Sequence, residues 1–184
     1  MKKVTVIIII IGILALIYIL KRDSSPANNN NNTPTASESG TFRPDPSNAT
    51  FIFSDGPVAL SLGRSEKSIA PESAFVEEII LLDKFAYGDI NTDGKEDTAV
   101  LLARYGGGSG IFIYVAAFVS GPVNYKGSKV IFIGDRIAPQ AISINGRVVT
   151  VEYLDREPDE AFAAEPTVPT SKQFVYEAGE LREK

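Results

Sequence analysis

Residues 98–119 read TAVLLARYGGGSGIFIYVAAFV, two apolar runs joined through the glycine-rich hexapeptide YGGGSG, whose tyrosine ends the first run. Thr98–Tyr105 and Ile111–Val119 are rich in β-branched, aromatic and small apolar residues, a composition that favours strands. The YGGGSG stretch between them is typical of a loose turn joining two strands. Its backbone amides could instead cradle an anion, but the turn is the plainer interpretation. We therefore predict a β-hairpin in the middle of the chain.

Two dipeptides that favour tight turns lie on either side of this hairpin, Asp55-Gly56 and Asn145-Gly146. Both supply the positive φ of a type I′ turn, so each predicts a further hairpin. The runs that they join are Thr50–Ser54 with Val58–Leu62, and Ala141–Ile144 with Arg147–Tyr153. In the second pair, apolar residues recur at every second position, which gives one apolar and one wet face.

Three further segments complete the predicted fold. Lys129–Ile133 and Lys172–Tyr176 have strand composition, whereas Glu77–Leu82 fits either a short helix after a Ser73 cap or a strand, with the strand favoured from Ile79 onward. The fold class is therefore mostly β. We expect an antiparallel meander, a curved sheet or a partly closed barrel, of about eight strands.

The sequence also predicts three regions along the chain. Residues 1–22 contain the uncharged run Val4–Leu20, flanked by basic residues, which is typical of a transmembrane helix. A cleaved signal peptide is the alternative, although no small-x-small site closes the run. Residues 23–41 form a polar, asparagine-rich linker. Residues 42–184 are then expected to be a β-rich domain outside the cell membrane, tethered by a single-pass anchor.

Composition excludes several kinds of chemistry. The chain has no cysteine and no histidine, so disulfides, thiolate zinc sites, histidine-ligated metals and a Ser-His-Asp triad are not available. Residues 42–184 carry 14 basic and 21 acidic residues, a net charge of −7. Such a domain repels the phosphate backbone, and nucleic acid is not an expected partner.

The acidic stretch GDINTDGKEDTAV, residues 88–100, contains the candidate metal ligands. Calcium is bound by six to eight oxygen atoms, which alternating carboxylates and amides around a sharp glycine turn can supply. An EF-hand would need a glutamate at its twelfth position, but that position is Val100 here. The simpler alternative is an ordinary turn, since aspartate, asparagine and glycine are turn residues. Four acids within nine positions would repel one another in a bare turn, and this favours a cation.

The loop resembles the calcium loops of FG-GAP and VCBS repeats over residues 85–101. This resemblance implies calcium bound by the side chains of Asp89, Asn91, Asp93 and Asp97 and by the backbone carbonyl of Lys95. Those families form propellers from many such loops, whereas this chain has one, so a propeller does not follow. More loosely, GDINTDGKED, YGGGSG and GDRIAPQ in this order resemble an uncharacterised extracytoplasmic domain of bacterial lipoproteins and membrane-anchored proteins.

Two functions remain from the sequence. The first is a non-catalytic, calcium-stabilised module that binds a protein or an envelope polymer or serves as a structural element. The alternative is a carboxylate-based hydrolase of cell-envelope glycans, which would need two acids at a fixed separation in a cleft. The acid–arginine pairs at 135–136 and 155–156 are expected to be ion pairs or turn anchors rather than a ligand-binding rim.

Overall fold

Twelve β-strands and no helix are found in the residues that the computed structural model describes, 42–71 and 75–184. The strands are β1 (Thr50–Phe53), β2 (Gly56–Ala59), β3 (Arg64–Ser68), β4 (Val76–Gly88), β5 (Asp97–Tyr105), β6 (Ile111–Val119), β7 (Lys126–Gly127), β8 (Ile131–Asp135), β9 (Ala138–Asn145), β10 (Val148–Asp155), β11 (Val168–Glu177) and β12 (Glu180–Glu183).

These strands form three sheets. A six-stranded sheet has the order β3-β4-β5-β6-β7, and β8 also pairs with β6. β7 pairs with the last residues of β6, and β8 pairs with its first half. A four-stranded meander has the order β12-β11-β10-β9, and β1 and β2 form a two-stranded hairpin. Every strand pair is antiparallel. Sequence neighbours are mostly sheet neighbours, which agrees with the short connections between them.

The core lies on both sides of the six-stranded sheet. Successive side chains of a strand point to opposite faces, and β5 is apolar at both sets of positions. Leu101 contributes to a buried cluster shared with the four-stranded sheet. Val100 and Leu102 contribute to a second cluster beneath the β1–β2 hairpin, together with Phe51 and Phe53. The domain therefore has three layers, with β5 in the middle one.

The six-stranded sheet is curved by irregular pairing. The register between β4 and β5 shifts between Leu81 and Phe85, and that between β6 and β8 shifts at Ile113 and Tyr114. Such bulges bend a strand and increase its twist. The β1–β2 hairpin is attached to the segment between β7 and β8 through Ile52. The amide of Ile52 donates to the carbonyl of Ser128 (3.1 Å), and its carbonyl accepts from the amide of Val130 (3.0 Å).

The predicted fold class is confirmed in its coarser form. The described residues are mostly β, with a curved antiparallel sheet, and Glu77–Leu82 lies within the long strand β4. The expected number of about eight strands was too low, because the short edge strands β3, β7 and β12 have no apolar pattern. Their formation depends on an exposed neighbouring strand that supplies hydrogen-bonding groups.

Both predicted tight hairpins form, but neither has a type I′ turn. In the first, Phe53 pairs with Gly56, so Ser54 and Asp55 form the loop, and neither has positive φ. In the second, Asn145 pairs with Val148, and the loop begins at Gly146 (φ 58°). A type I′ turn requires positive φ at both central residues. In each hairpin the two-residue loop is therefore displaced by one residue from the expected Asp-Gly or Asn-Gly dipeptide.

The described residues contain no helix that is long and apolar enough to cross a membrane. The apolar run Val4–Leu20 and the linker predicted over residues 23–41 lie outside the described residues. The membrane anchor and the extracytoplasmic location therefore stay predictions.

An ion-pair network joins the hairpin to the six-stranded sheet. Arg104, near the end of β5, donates two hydrogen bonds to the carboxylate of Asp55 in the β1–β2 turn, at 2.9 and 2.5 Å. It also donates to Oε1 of Glu77 on β4, from Nη2 at 2.6 Å. The Arg104 side chain is 16% exposed, and its guanidinium lies over the ring of Phe53. The hydrogen bonds from Arg104 are the main cause of the lowered pKa of Asp55.

Replacing Arg104 with methionine is expected to lower the free energy of unfolding by about 2 kcal/mol, because Asp55 and Glu77 would face each other without a counter-charge. Urea unfolding at neutral pH followed by circular dichroism measures this change. Arg64→Met is the matched control. Arg64 pairs with Glu66 and Glu78 but is 56% exposed, so its loss should cost less than about 1 kcal/mol.

The Arg104→Met variant also tests how the stabilisation from the Arg104–Asp55 contact depends on pH. The folded pKa of Asp55 is below its unfolded value, so its contribution to stability is present above about pH 4 and is lost as the pH falls through the folded pKa. The difference between wild type and Arg104→Met should therefore shrink in acid. Equal stability of the two proteins at neutral pH would contradict this role of Arg104.

Candidate metal centre

The acidic loop, residues 89–96, connects β4 to β5, which are paired at Gly88 and Asp97. Thr92 (φ 64°) and Gly94 (φ 82°) both have left-handed backbone conformations. A Cβ at residue 94 would meet no atom within 4 Å, so φ rather than space favours glycine there. The glycine that the sequence pattern assigned to the sharp turn is therefore suited to its backbone conformation.

The carboxylate of Asp89 organises the tip of the acidic loop. Its Oδ1 accepts a hydrogen bond from the amide of Asp93 (3.1 Å), and its Oδ2 accepts one from the amide of Gly94 (2.8 Å). The side-chain oxygen of Asn91 accepts from the same Asp93 amide (3.0 Å). The side-chain oxygens of Asp89 and Asn91 are thus held close together by a shared donor.

Ser120, just beyond the end of β6, connects this loop to β6. Its hydroxyl donates to Oδ2 of Asp93 (2.5 Å) and accepts from Nδ2 of the Asn91 side chain (3.1 Å). The bond from Ser120 is the main cause of the lowered pKa of Asp93, assisted by the amide of Lys95. Both Asn91 and Asp93 are therefore fixed by a residue that lies far from them in the sequence.

Asp97 is fully buried at the start of β5. Its Oδ2 accepts from the amide of Ile90 (3.0 Å) and its Oδ1 from the amide of Ser120 (2.8 Å). Burial raises the pKa of this carboxyl, and the hydrogen bonds from Ser120 and Ile90 oppose that rise. Asp97 thus joins the start of the acidic loop to the end of β6.

The structure brings the four predicted side-chain ligands into one hydrogen-bonded network. The side-chain oxygens of Asp89, Asn91, Asp93 and Asp97 each accept one hydrogen bond. Because an oxygen of this kind has a second lone pair, each keeps acceptor capacity for a cation. Lys95, the predicted backbone ligand, lies in the same loop, with its amide bonded to Asp93 (2.9 Å).

The chemistry of this donor set fits a hard cation. All of its donors are oxygen atoms, which is the preference of calcium and magnesium. At the end of the loop, Oε2 of Glu96 is buried and has no hydrogen-bond partner among the described residues, which adds to the local acidic excess. Among the described residues, however, no three acidic side chains are already arranged as a metal cluster. Binding would therefore also use the oxygens of Asn91 and Lys95.

Sequence reasoning missed the residues that hold this loop from outside. Besides Ser120, these are Gly121, whose carbonyl accepts from Nζ of Lys95 (3.5 Å), and Tyr125, whose hydroxyl donates to the carbonyl of Glu96 (2.9 Å). They lie more than 20 residues away from the loop in the chain. No local pattern links the two segments, because the link arises from the pairing of β5 with β6.

The predicted acid–arginine pairs are turn anchors. Arg136 forms an ion pair with Asp135 (2.9 Å), and Asp135 also accepts from the amide of Ile111 (2.9 Å). Arg156 donates from Nε to the carbonyl of Ala164 (2.7 Å) within the irregular stretch after β10. The Asp135 carboxylate thus joins the start of β6 to the end of β8, and Arg156 braces the stretch between β10 and β11.

Ser120→Ala is expected to lower the free energy of unfolding by about 1 kcal/mol, because the buried hydroxyl of Ser120 would no longer bond to Asp93 and Asn91. Thermal or urea unfolding measures the change. Ser143→Ala, on the exposed side of β9, is the matched control and should change stability by less than about 0.5 kcal/mol. Equal effects of the two variants would show that Ser120 does not fasten the loop.

Comparison with known proteins adds no relative: no family model, no curated protein and no solved structure matches this chain. The resemblance of residues 85–101 to FG-GAP and VCBS loops therefore depends on those residues alone.

Proposed function

We propose that residues 42–184 form a non-catalytic, calcium-stabilised β domain, held outside the cell membrane by the apolar run 4–20. The domain serves as a binding or structural module for a protein or an envelope polymer. The acidic excess of residues 42–184 disfavours nucleic acid as that partner.

The observation that carries the calcium proposal is the charge of the acidic loop. Asp89, Asp93 and Asp97 share one hydrogen-bonded network with the exposed Lys95 as the counter-charge within the loop. A bound calcium ion would supply the positive charge that offsets repulsion among these carboxylates. The side chains of Asp89, Asn91, Asp93 and Asp97 and the carbonyl of Lys95 would hold it. Because the loop joins β4 to β5 and contacts Ser120, binding would stabilise the middle layer.

Calcium is expected to raise the melting temperature of the purified full-length chain relative to the same protein in chelator. A ligand at about 100 times its dissociation constant stabilises the folded state by about 2.7 kcal/mol. Calorimetric titration gives the dissociation constant, and thermal unfolding followed by circular dichroism gives the shift. An identical transition in chelator and in millimolar calcium would contradict the proposal.

Two variants make this measurement specific. Asp89→Asn should abolish most of the calcium-dependent shift, because a neutral amide replaces a ligand carboxylate. Asp83→Asn removes an exposed acid of β4 that lies outside the loop, and it should keep the full shift. Loss of the shift in both variants would indicate a general charge effect rather than a site.

The hydrolase alternative is favoured by one observation, a cleft of about 270 Å³ lined by Asp55 and Glu77. Both carboxylates bond to the same Nη2 atom of Arg104, so they face each other across a single nitrogen. A glycosidase needs one carboxyl that keeps its proton. Arg104 lowers the pKa of Asp55, which makes that carboxyl a poor proton donor near neutral pH. The pair is better explained as an ion-pair network.

Incubation of the full-length chain with insoluble peptidoglycan is therefore expected to release no reducing ends above a protein-free blank. A colorimetric reducing-sugar assay makes this measurement. Release that disappears in Glu77→Gln but persists in Glu66→Gln would overturn the non-catalytic proposal, since Glu66 lines the same cleft outside the Arg104 network.

A further inference from the structure

A second cleft lies between β1 and the segment that carries β7. Its volume is about 490 Å³, within the usual range of roughly 300–1,000 Å³ for small-molecule sites. Phe118 and Tyr125 line it, with ring centroids 5.4 Å apart and planes tilted by 31°. Ile52, which is 41% exposed, adds further apolar surface. We name this cavity the β1–β7 cleft.

Polar side chains surround these apolar groups. Asp45, Thr50 and Lys126 line the same cleft and are exposed. The Asp45 carboxylate also accepts from the amide (2.9 Å) and the hydroxyl (3.0 Å) of Ser47 and keeps its remaining lone pairs. Asn48 also lines the cleft, and its side-chain oxygen accepts from the amide of Leu62 (3.1 Å). The formal charges of Asp45 and Lys126 cancel, so the cleft favours neither an anion nor a cation.

A neutral sugar ring matches this combination of groups. One face of a pyranose presents C–H groups, which pack against aromatic and aliphatic side chains. Its edge presents hydroxyls that can donate to a carboxylate and accept from a hydroxyl or an ammonium group. We propose that the β1–β7 cleft binds a neutral saccharide, as a unit of a longer glycan. This inference names the ligand class of the binding module proposed above and rests on that proposal.

The acidic loop fixes one wall of the cleft. The hydroxyl of Tyr125 donates to the carbonyl of Glu96, which holds the ring that lines the cavity. Ser120, at the other end of the same segment, is bonded to Asp93 and Asp97. Residues 120–125 are thus anchored to the loop at both ends, next to Lys126 and Gly127 of the wall. Ordering of the loop by calcium would therefore strengthen saccharide binding.

The test is a titration of the full-length chain, purified in a detergent without a sugar headgroup. The probes are the neutral tetramer of N-acetylglucosamine, cellotetraose and the cationic tetramer of glucosamine. Isothermal titration calorimetry and ligand-observed saturation-transfer NMR are expected to show binding of at least one neutral tetramer, with a dissociation constant of about 1 mM. Absence of binding by both neutral tetramers, or tighter binding of the cationic one, would overturn the inference.

Variants locate the site. Lys126→Met removes a donor and should weaken binding by about threefold to tenfold, as the loss of one hydrogen bond does. Tyr125→Leu removes a ring and should weaken it by about tenfold. Lys129→Met, exposed in the same segment and outside the cleft, should bind within about twofold of wild type. Equal binding by Lys126→Met and Lys129→Met would overturn the assignment to this cleft.

Repeating the titration in calcium and in chelator separates the two proposals. Saccharide binding that is equal in both media, together with an unchanged melting temperature, would contradict the calcium proposal and leave the saccharide site intact. A calcium-dependent melting temperature without saccharide binding would contradict the saccharide site alone. Weaker saccharide binding in chelator would support both proposals and the link through Tyr125.

Discussion

Both faces of β5 are buried, with Leu101 packed toward the four-stranded sheet and Leu102 toward the β1–β2 hairpin. A strand without a wet face can place polar groups only near its ends, where other segments can satisfy them. At one end, the Asp97 carboxylate accepts amides from the acidic loop and from Ser120. At the other end, Arg104 bonds to the hairpin turn and to β4. The layers are thus joined by polar contacts at the two ends of one apolar strand.

The buried carboxylate of Asp97 also fixes the position of the acidic loop relative to the end of β6. A buried charge is costly unless hydrogen bonds or an opposite charge compensate it, and two backbone amides provide the compensation here. Those amides belong to Ile90 and Ser120, so the position of the loop depends on the end of β6. Neutralisation of the loop carboxylates by a cation would therefore act directly on the contacts of Ser120 and the segment that follows it.

The parts of this structure that could be predicted from sequence are those with a local signal. β5 and β6 are apolar throughout, and the chain turns between them at a run of glycines. The edge strand β3 (RSEKS) carries no such signal, because it forms by pairing with β4. The four candidate ligands of the acidic loop were predicted from their spacing and from a resemblance to known calcium loops, and they lie in one hydrogen-bonded network. Ser120 was not predicted, because only the antiparallel register of β5 and β6 brings it to the loop.

The geometry around Tyr125 connects the acidic loop to the wall of the β1–β7 cleft. A flexible cleft wall loses conformational freedom when a ligand binds, and this loss reduces the affinity. Tyr125 is bonded to the backbone of Glu96 and its ring lies 5.9 Å from that of Phe42, while Ser120 is bonded to Asp93. The wall is therefore held in place before any ligand arrives. Under the proposals made here, calcium would act on affinity through this preorganisation, without touching the saccharide.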